Sequence, residues 1–156
     1  MINFLRKMVQ KWLFLYDYDI VIGEFARTPI RAYKNDAGFD LFVSGAIRIA
    51  PNARVNIHTN ISMKSKIPAW IWLTGRSSTL FKFNLIIIDG IIDGDFTGEL
   101  FIKAYNPTGK EIYIPQGERI AQIIVIPHTS IRFKRVPAVV GREGLRNWRG
   151  LGSTGR

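Results

Sequence analysis

Cysteine is absent from the 156-residue chain, which excludes a disulfide framework and any thiolate metal site. Stability must then come from packing or from association between chains. Histidine is scarce as well, with only His58 and His128. A catalytic metal would therefore be a hard cation held by carboxylates and substrate phosphates, as magnesium usually is. Acidic residues are few, 12 against 22 Lys and Arg, and the net charge of +10 favours polyanionic partners: a nucleotide, nucleic acid or an anionic membrane surface. Charge alone does not choose among these, and a solvated basic face accounts for it equally well. A membrane-spanning run is also missing. The most apolar terminal stretch, residues 1–16, is interrupted by Arg6, Lys7 and Lys11, is too short to cross a bilayer and lacks a small-residue cleavage site. A soluble protein is expected, cytoplasmic, or inside the nucleus or host cell if viral.

What is present suits one globular domain: 47% hydrophobic and 22% charged residues in a length that can bury a core. Three sections are expected. Residues 1–16 place Phe4, Leu5, Met8, Val9, Trp12 and Leu13 at helical spacing and read as a basic amphipathic extension, packed on the body in the simplest account. Residues 17–140 hold short runs rich in Ile, Val, Phe and Tyr, broken by Gly, Pro, Asn and Asp, which predicts an all-β domain of the sandwich or jelly-roll kind. Strands are expected near 19–22, 39–43, 46–49, 54–57, 71–73, 100–105, 111–114 and 120–126. The runs Leu85 to Ile88 and Ile120 to Ile126 are apolar on both alternating faces, so subunit contact is expected to cover the second face. Residues 141–156, rich in Gly and Arg, read as a flexible C-terminal arm.

Five segments carry the chemistry: Ala37-Gly38-Phe39-Asp40-Leu41; Gly75-Arg76-Ser77-Ser78; Asp89-Gly90-Ile91-Ile92-Asp93-Gly94-Asp95-Phe96-Thr97-Gly98-Glu99; Gly117-Glu118-Arg119-Ile120-Ala121-Gln122; and Arg149-Gly150-Leu151-Gly152-Ser153-Thr154-Gly155. Glycine at 90, 94 and 98 permits positive φ and close approach of a backbone to a flat ligand around a hairpin. An ordinary tight turn would use the same residues. Asp93 and Asp95 fit turn capping when read alone. The chain can supply the arginine forks, hydroxyls and backbone amides that phosphate neutralisation needs, while Gln122 and Asp40 read alone fit satisfied buried polar groups.

In order, spacing and identity, the five segments resemble the motifs of the trimeric dUTPase family, from about Asp19 to the end of the chain. The resemblance implies a jelly-roll-like β-barrel or sandwich, a homotrimer with C-terminal arm exchange and active sites at subunit interfaces. The implied reaction is magnesium-dependent hydrolysis of dUTP to dUMP and pyrophosphate, limiting uracil in DNA. Asp93 matches the general base that draws a proton from a water aimed at the α-phosphorus. Gly90, Ile91 and Phe96 match the pocket for uracil and deoxyribose. Arg76, Ser77, Ser78 and Gln122 match groups around the phosphates, with Ser77 opening a short helix. Asp40 matches an aspartate near the metal's water shell. Ser153 and Thr154 match an arm that crosses to another subunit and closes over the triphosphate.

Several positions depart from the family pattern. Phe96 replaces a tyrosine, Leu151 an aromatic ring over the base, and Ser78 a commoner glycine. Either Arg146 or Arg149 fits the arginine of the arm. Asp89 adds a carboxylate beside the uracil segment and has no role in the pattern. The nearest rival, dCTP deaminase, needs a glutamate where Lys103 stands here. A binding protein built on the same scaffold is the alternative from another class, with the basic surface making weak contact with nucleic acid or another anionic surface.

Overall fold

The computed structural model describes residues 18–128 and 131–136. Eleven strands and one short helix occupy the described residues, the β-rich jelly-roll-like architecture expected of the sequence. The strands are β1 (Tyr18–Ile22), β2 (Phe39–Phe42), β3 (Ile47–Ile49), β4 (Arg54–Ile57), β5 (Ile61–Ser65), β6 (Ala69–Gly75), β7 (Ile86–Ile87), β8 (Gly90–Ile92), β9 (Ile102–Tyr105), β10 (Ile112–Ile114) and β11 (Arg119–Pro127). Helix α1 (Ser77–Phe83) follows β6.

They form four small sheets, with orders β1-β5, β10-β3, β4-β9-β7 and β2-β11-β6-β8, and every described pairing is antiparallel. One core serves all of them. Leu41, Ile49, Ile57, Ile61, Leu73, Ile102, Ile114 and Ile123 are drawn from different sheets and are essentially inaccessible to solvent. Burying each such side chain contributes about 1.5–3 kcal/mol before chain entropy is charged against it. Strand β6 shows the alternation that builds this core: Ala69, Ile71 and Leu73 point inward, whereas Trp70, Trp72 and Thr74 point outward. Buried Asn106 closes one end, donating to the carbonyls of Ile49, Ala50 and Lys110 and accepting from Thr108, so none of its polar atoms is orphaned.

Asparagine makes the tight corners. Asn52, Asn60 and Asn84 adopt φ of 56°, 53° and 50°, a conformation that asparagine tolerates better than most residues. Asn84 thereby ends α1, its amide donating to the Leu80 carbonyl at 2.8 Å. Among described glycines only Gly117 has positive φ, at 75°.

That last fact corrects the expectation for Gly90, Gly94 and Gly98, none of which needs positive φ. Close approach explains two of them. A Cβ at Gly94 would collide with the Ala69 carbonyl oxygen, and one at Gly98 would lie 2.5 Å from the Phe96 ring. A second correction concerns the hairpin. Strand β8 pairs with β6, not with the segment that follows it. The excursion is closed lower down, where β7 pairs with β9 and the Ile88 amide donates to the Lys103 carbonyl. Leu85 is buried as expected, but Ile86 and Ile88 are about 40% exposed in the single chain.

Candidate active site

The four-stranded sheet carries a polar row across its outer face. Register places Asp40 of β2 opposite Gln122 of β11, and Gln122 opposite Thr74 of β6. Asp89, one residue before β8, completes the row by accepting a 2.6 Å hydrogen bond from the Thr74 hydroxyl. Cross-strand neighbours share a face, so residues distant in sequence meet here through strand register alone.

Asp40 is the pivot of one end. Its carboxylate, 11% exposed, takes the Arg76 Nε at 2.6 Å on one oxygen and the Arg119 Nη1 at 3.1 Å on the other. Arg76 also donates to the Arg119 carbonyl at 3.1 Å. These contacts hold the guanidinium of Arg76 beside the start of α1, where Ser77 and Ser78 are exposed. Gln122 donates to the Gly75 carbonyl at 3.0 Å, and Gly38 is glycine because a Cβ there would meet the Gln122 amide oxygen at 2.6 Å. Thr79 ties the helix down, donating from its buried hydroxyl to the Ile120 carbonyl at 2.7 Å. Sequence reasoning quoted Arg119 within a motif but gave it no part. Its partner lies 79 residues away, visible only once β2 and β11 are in register.

The other cluster surrounds Asp93. A cavity of about 260 Å³ is lined by Gly90, Ile91, Ile92, Asp93, Phe96, Glu99 and Leu100 together with Leu73, Ile88, Phe101 and Lys103. Asp93 also borders a second cavity with Trp70, Asp95, Lys64 and His128. The carboxylate of Asp93 is exposed and makes no hydrogen bond or ion pair among the described residues. Its backbone carbonyl accepts from the Phe96 amide at 3.1 Å, closing the turn that presents it. A Cβ on Gly90 would meet nothing within 4 Å, so the backbone there is open to a ligand. Phe96 and Ile91, both exposed, line the same cavity.

The sequence-predicted residues thus divide. Gly90, Ile91, Asp93 and Phe96 gather at one place, and Arg76, Ser77, Ser78, Gln122 and Asp40 at another. Register puts Ile92 opposite Ile71, hence Asp93 beside Trp70, whereas Arg76 follows the far end of β6. Six residues of strand separate the two, roughly 20 Å at about 3.3 Å per residue. Arg146, Arg149, Leu151, Ser153 and Thr154 lie outside the described residues, as does the amphipathic extension.

Guanidiniums braced on a carboxylate, an open backbone beside an apolar wall and a free carboxylate are what an all-β enzyme acting on a nucleotide requires. The comparisons with known proteins narrow that class. The dUTPase family model matches residues 25–155. A deoxyuridine 5′-triphosphate nucleotidohydrolase of Paramecium bursaria Chlorella virus 1 is 32% identical over 133 residues, 85% of this chain and 92% of that protein. One from Corynebacterium diphtheriae is 35% identical over 131 residues, 81% and 84% of the respective lengths. Among solved structures, the dUTPase of Staphylococcus bacteriophage 80alpha with dUPNHPP superposes with a TM-score of 0.80 at 26% identity, covering 90% of this chain and 99% of that one. The chain belongs to the dUTPase family.

Proposed function

We propose that the chain hydrolyses dUTP to dUMP and pyrophosphate, with Asp93 drawing a proton from the water that attacks the α-phosphorus in line. The observation that carries this reading is the unpartnered, exposed carboxylate of Asp93 on the wall of the cavity formed by Gly90, Ile91 and Phe96. A general base must be free to reach a water, and a carboxylate already committed to an arginine would be a poor one. The open backbone at Gly90 takes the uracil edge and Phe96 packs against the sugar. Arg76, Ser77, Ser78 and Gln122 receive the phosphates, where fixed donors stabilise the charge that builds up as the α–β bridge breaks.

The length of β6 prevents one chain from applying both clusters to one triphosphate, so the site joins Asp93 of one copy to Arg76 of another. Exposed Leu80, Phe81, Ile86, Ile88 and Ile91 supply apolar surface for that association. The assembly is a homotrimer, and its arm, residues 141–156, closes the site through Ser153 and Thr154, with Leu151 over the base and Arg146 or Arg149 on phosphate.

The residues present fit a magnesium ion carried in with the substrate. Among the described residues no three His, Asp or Glu side chains converge on one point. Magnesium in such a site is held by phosphate oxygens and keeps most of its water, and Asp40 would reach it only through that water. Bound there, the ion neutralises phosphate charge. Asp40's principal work in this chain is to hold Arg76 and Arg119 in place.

No helix among the described residues is long and apolar enough to cross a membrane. The net charge of +10 supports weak contact with nucleic acid. A salt-sensitive mobility shift that disappears on deleting residues 1–16 would place that contact on the extension.

Pyrophosphate release from dUTP, dCTP, dTTP and UTP with magnesium, compared between wild type and Asp93→Asn, tests the main reading. Turnover of dUTP alone, abolished by the substitution, is expected. Wild-type protein that releases nothing from any of the four would overturn it.

A further inference from the structure

The cavity beside Asp93 has two walls, the limb Gly90–Ile92 and the returning limb that runs from Phe96 to Leu100. No backbone ladder joins them, and the Asp93–Phe96 turn is the one backbone bond between them among the described residues. The width of the gap is therefore set by where each limb is fastened to the body of the protein.

Each fastening uses a carboxylate that the proposed reaction leaves idle. On the entering limb, backbone pairing with β6 stops at Leu73 opposite Gly90, and the Thr74 hydroxyl then grips Asp89 Oδ1 at 2.6 Å. On the returning limb, Glu99 Oε1 accepts from the Thr59 amide at 3.1 Å and the Asn60 amide at 2.9 Å, while Oε2 lies 3.2 Å from Nδ1 of His58. The His58 ring in turn packs in a T-shaped arrangement with Phe101, in the cavity wall, at 4.9 Å between centroids. Leu100 is held on the same corner, its amide donating to the Ile61 carbonyl and its carbonyl accepting from the Thr59 hydroxyl.

Uracil and thymine differ by one methyl group, and a pocket excludes that methyl only if its walls do not give. We infer that Asp89 and Glu99 are positioning residues that fix the spacing of the two limbs and so determine which pyrimidine is admitted. This rests on the reading of the cavity as the uracil pocket. A single methylene in a hydrophobic pocket is generally worth about 10- to 200-fold in kcat/KM, which sets the range open to loss.

The test compares kcat/KM for dUTP and dTTP in full-length wild type, Asp89→Ala, Asp89→Asn, Glu99→Ala, Glu99→Gln and Thr74→Val. Preference for dUTP over dTTP should fall about tenfold in Asp89→Ala, Glu99→Ala and Thr74→Val, within the same range. Asp89→Asn and Glu99→Gln keep an oxygen able to accept the same bonds and should retain it. The Thr74→Val/Asp89→Ala double variant should be no worse than either single one, because both remove one interaction. If either Ala variant fails to fold, the near-isosteric Thr74→Val decides the point for Asp89, and amide exchange at Thr59 and Asn60 in Glu99→Gln decides it for Glu99, protection supporting the fastening. An unchanged preference in every variant that still turns over dUTP overturns the inference while leaving the function intact. Asp89→Asn behaving like Asp89→Ala, with weakened Mn²⁺ binding by electron paramagnetic resonance, would overturn it for Asp89 by giving the charge a metal role. Wild-type protein inert toward dUTP would strike instead at the function on which the inference rests.

Discussion

The two ends of β6 are built on opposite principles. At the Gly75 end, Asp40, Arg76, Arg119, Gln122 and Thr79 are tied to one another and to backbone carbonyls, so this cluster is braced within one chain. At the Ala69 end, Asp93 projects from a turn without a side-chain partner, and the apolar residues beside it face solvent. On the proposed reading, the groups that receive the triphosphate are braced before it arrives, and the group that moves a proton is left unencumbered. Side-chain replacements in the first cluster should therefore register in stability as well as activity, and replacement of the Asp93 carboxylate in activity alone.

The largest effect belongs to the second end. Asp93→Asn should lower kcat by roughly 10³-fold, the middle of the range for general-base catalysis, with an unfolding midpoint like that of wild type. A parallel fall in thermal stability would break the contrast, because it would give Asp93 a structural bond. At the braced end, Asp40→Ala leaves two guanidiniums facing each other with no carboxylate between them. A loss of about 3 kcal/mol in urea unfolding is expected, together with loss of activity. Unaltered stability would mean that the two arginines find water or phosphate substitutes easily. Gly94→Ala drives a methyl group into the Ala69 carbonyl and should displace the Asp93 turn, with about 1–3 kcal/mol of destabilisation and reduced kcat. The smallest effect expected is that of Thr79→Val, which strips one buried hydrogen bond from α1 and should lower stability by about 1–2 kcal/mol while moving the affinity for triphosphate more than that for dUMP.

How far the sequence reveals these two ends depends on the kind of signal. Largely apolar runs such as Ile71 to Leu73 and Ile120 to Ile126 announce strands directly, and their partners follow from the architecture. Strand β5 is faint, since Ile61-Ser62-Met63-Lys64-Ser65 alternates correctly but carries only two apolar residues. Leu100 was expected to open a strand, but β9 begins at Ile102, because Leu100 is spent on the corner held by Thr59 and Ile61. Motif identity pointed to Asp40, Arg76 and Asp93 without showing that the first two touch and the third stands apart. That knowledge requires register, which no local pattern encodes. Glycine illustrates the same limit: Gly94 and Gly98 are needed for what lies across from them, not for their own backbone angles. Asp89, without a role on sequence grounds, has one as soon as Thr74 is seen opposite.

The span of β6 also has a genetic consequence. If the site joins Asp93 of one chain to Arg76 of another, as proposed, Asp93→Asn and Arg76→Ala should each disable every site in an assembly made of one kind of chain. When the two are unfolded and reassembled together, some interfaces bring the intact Asp93 of one chain to the intact Arg76 of the other. Two inactive proteins then yield an active mixture, and a cell carrying both defective alleles would retain an activity that neither allele encodes by itself.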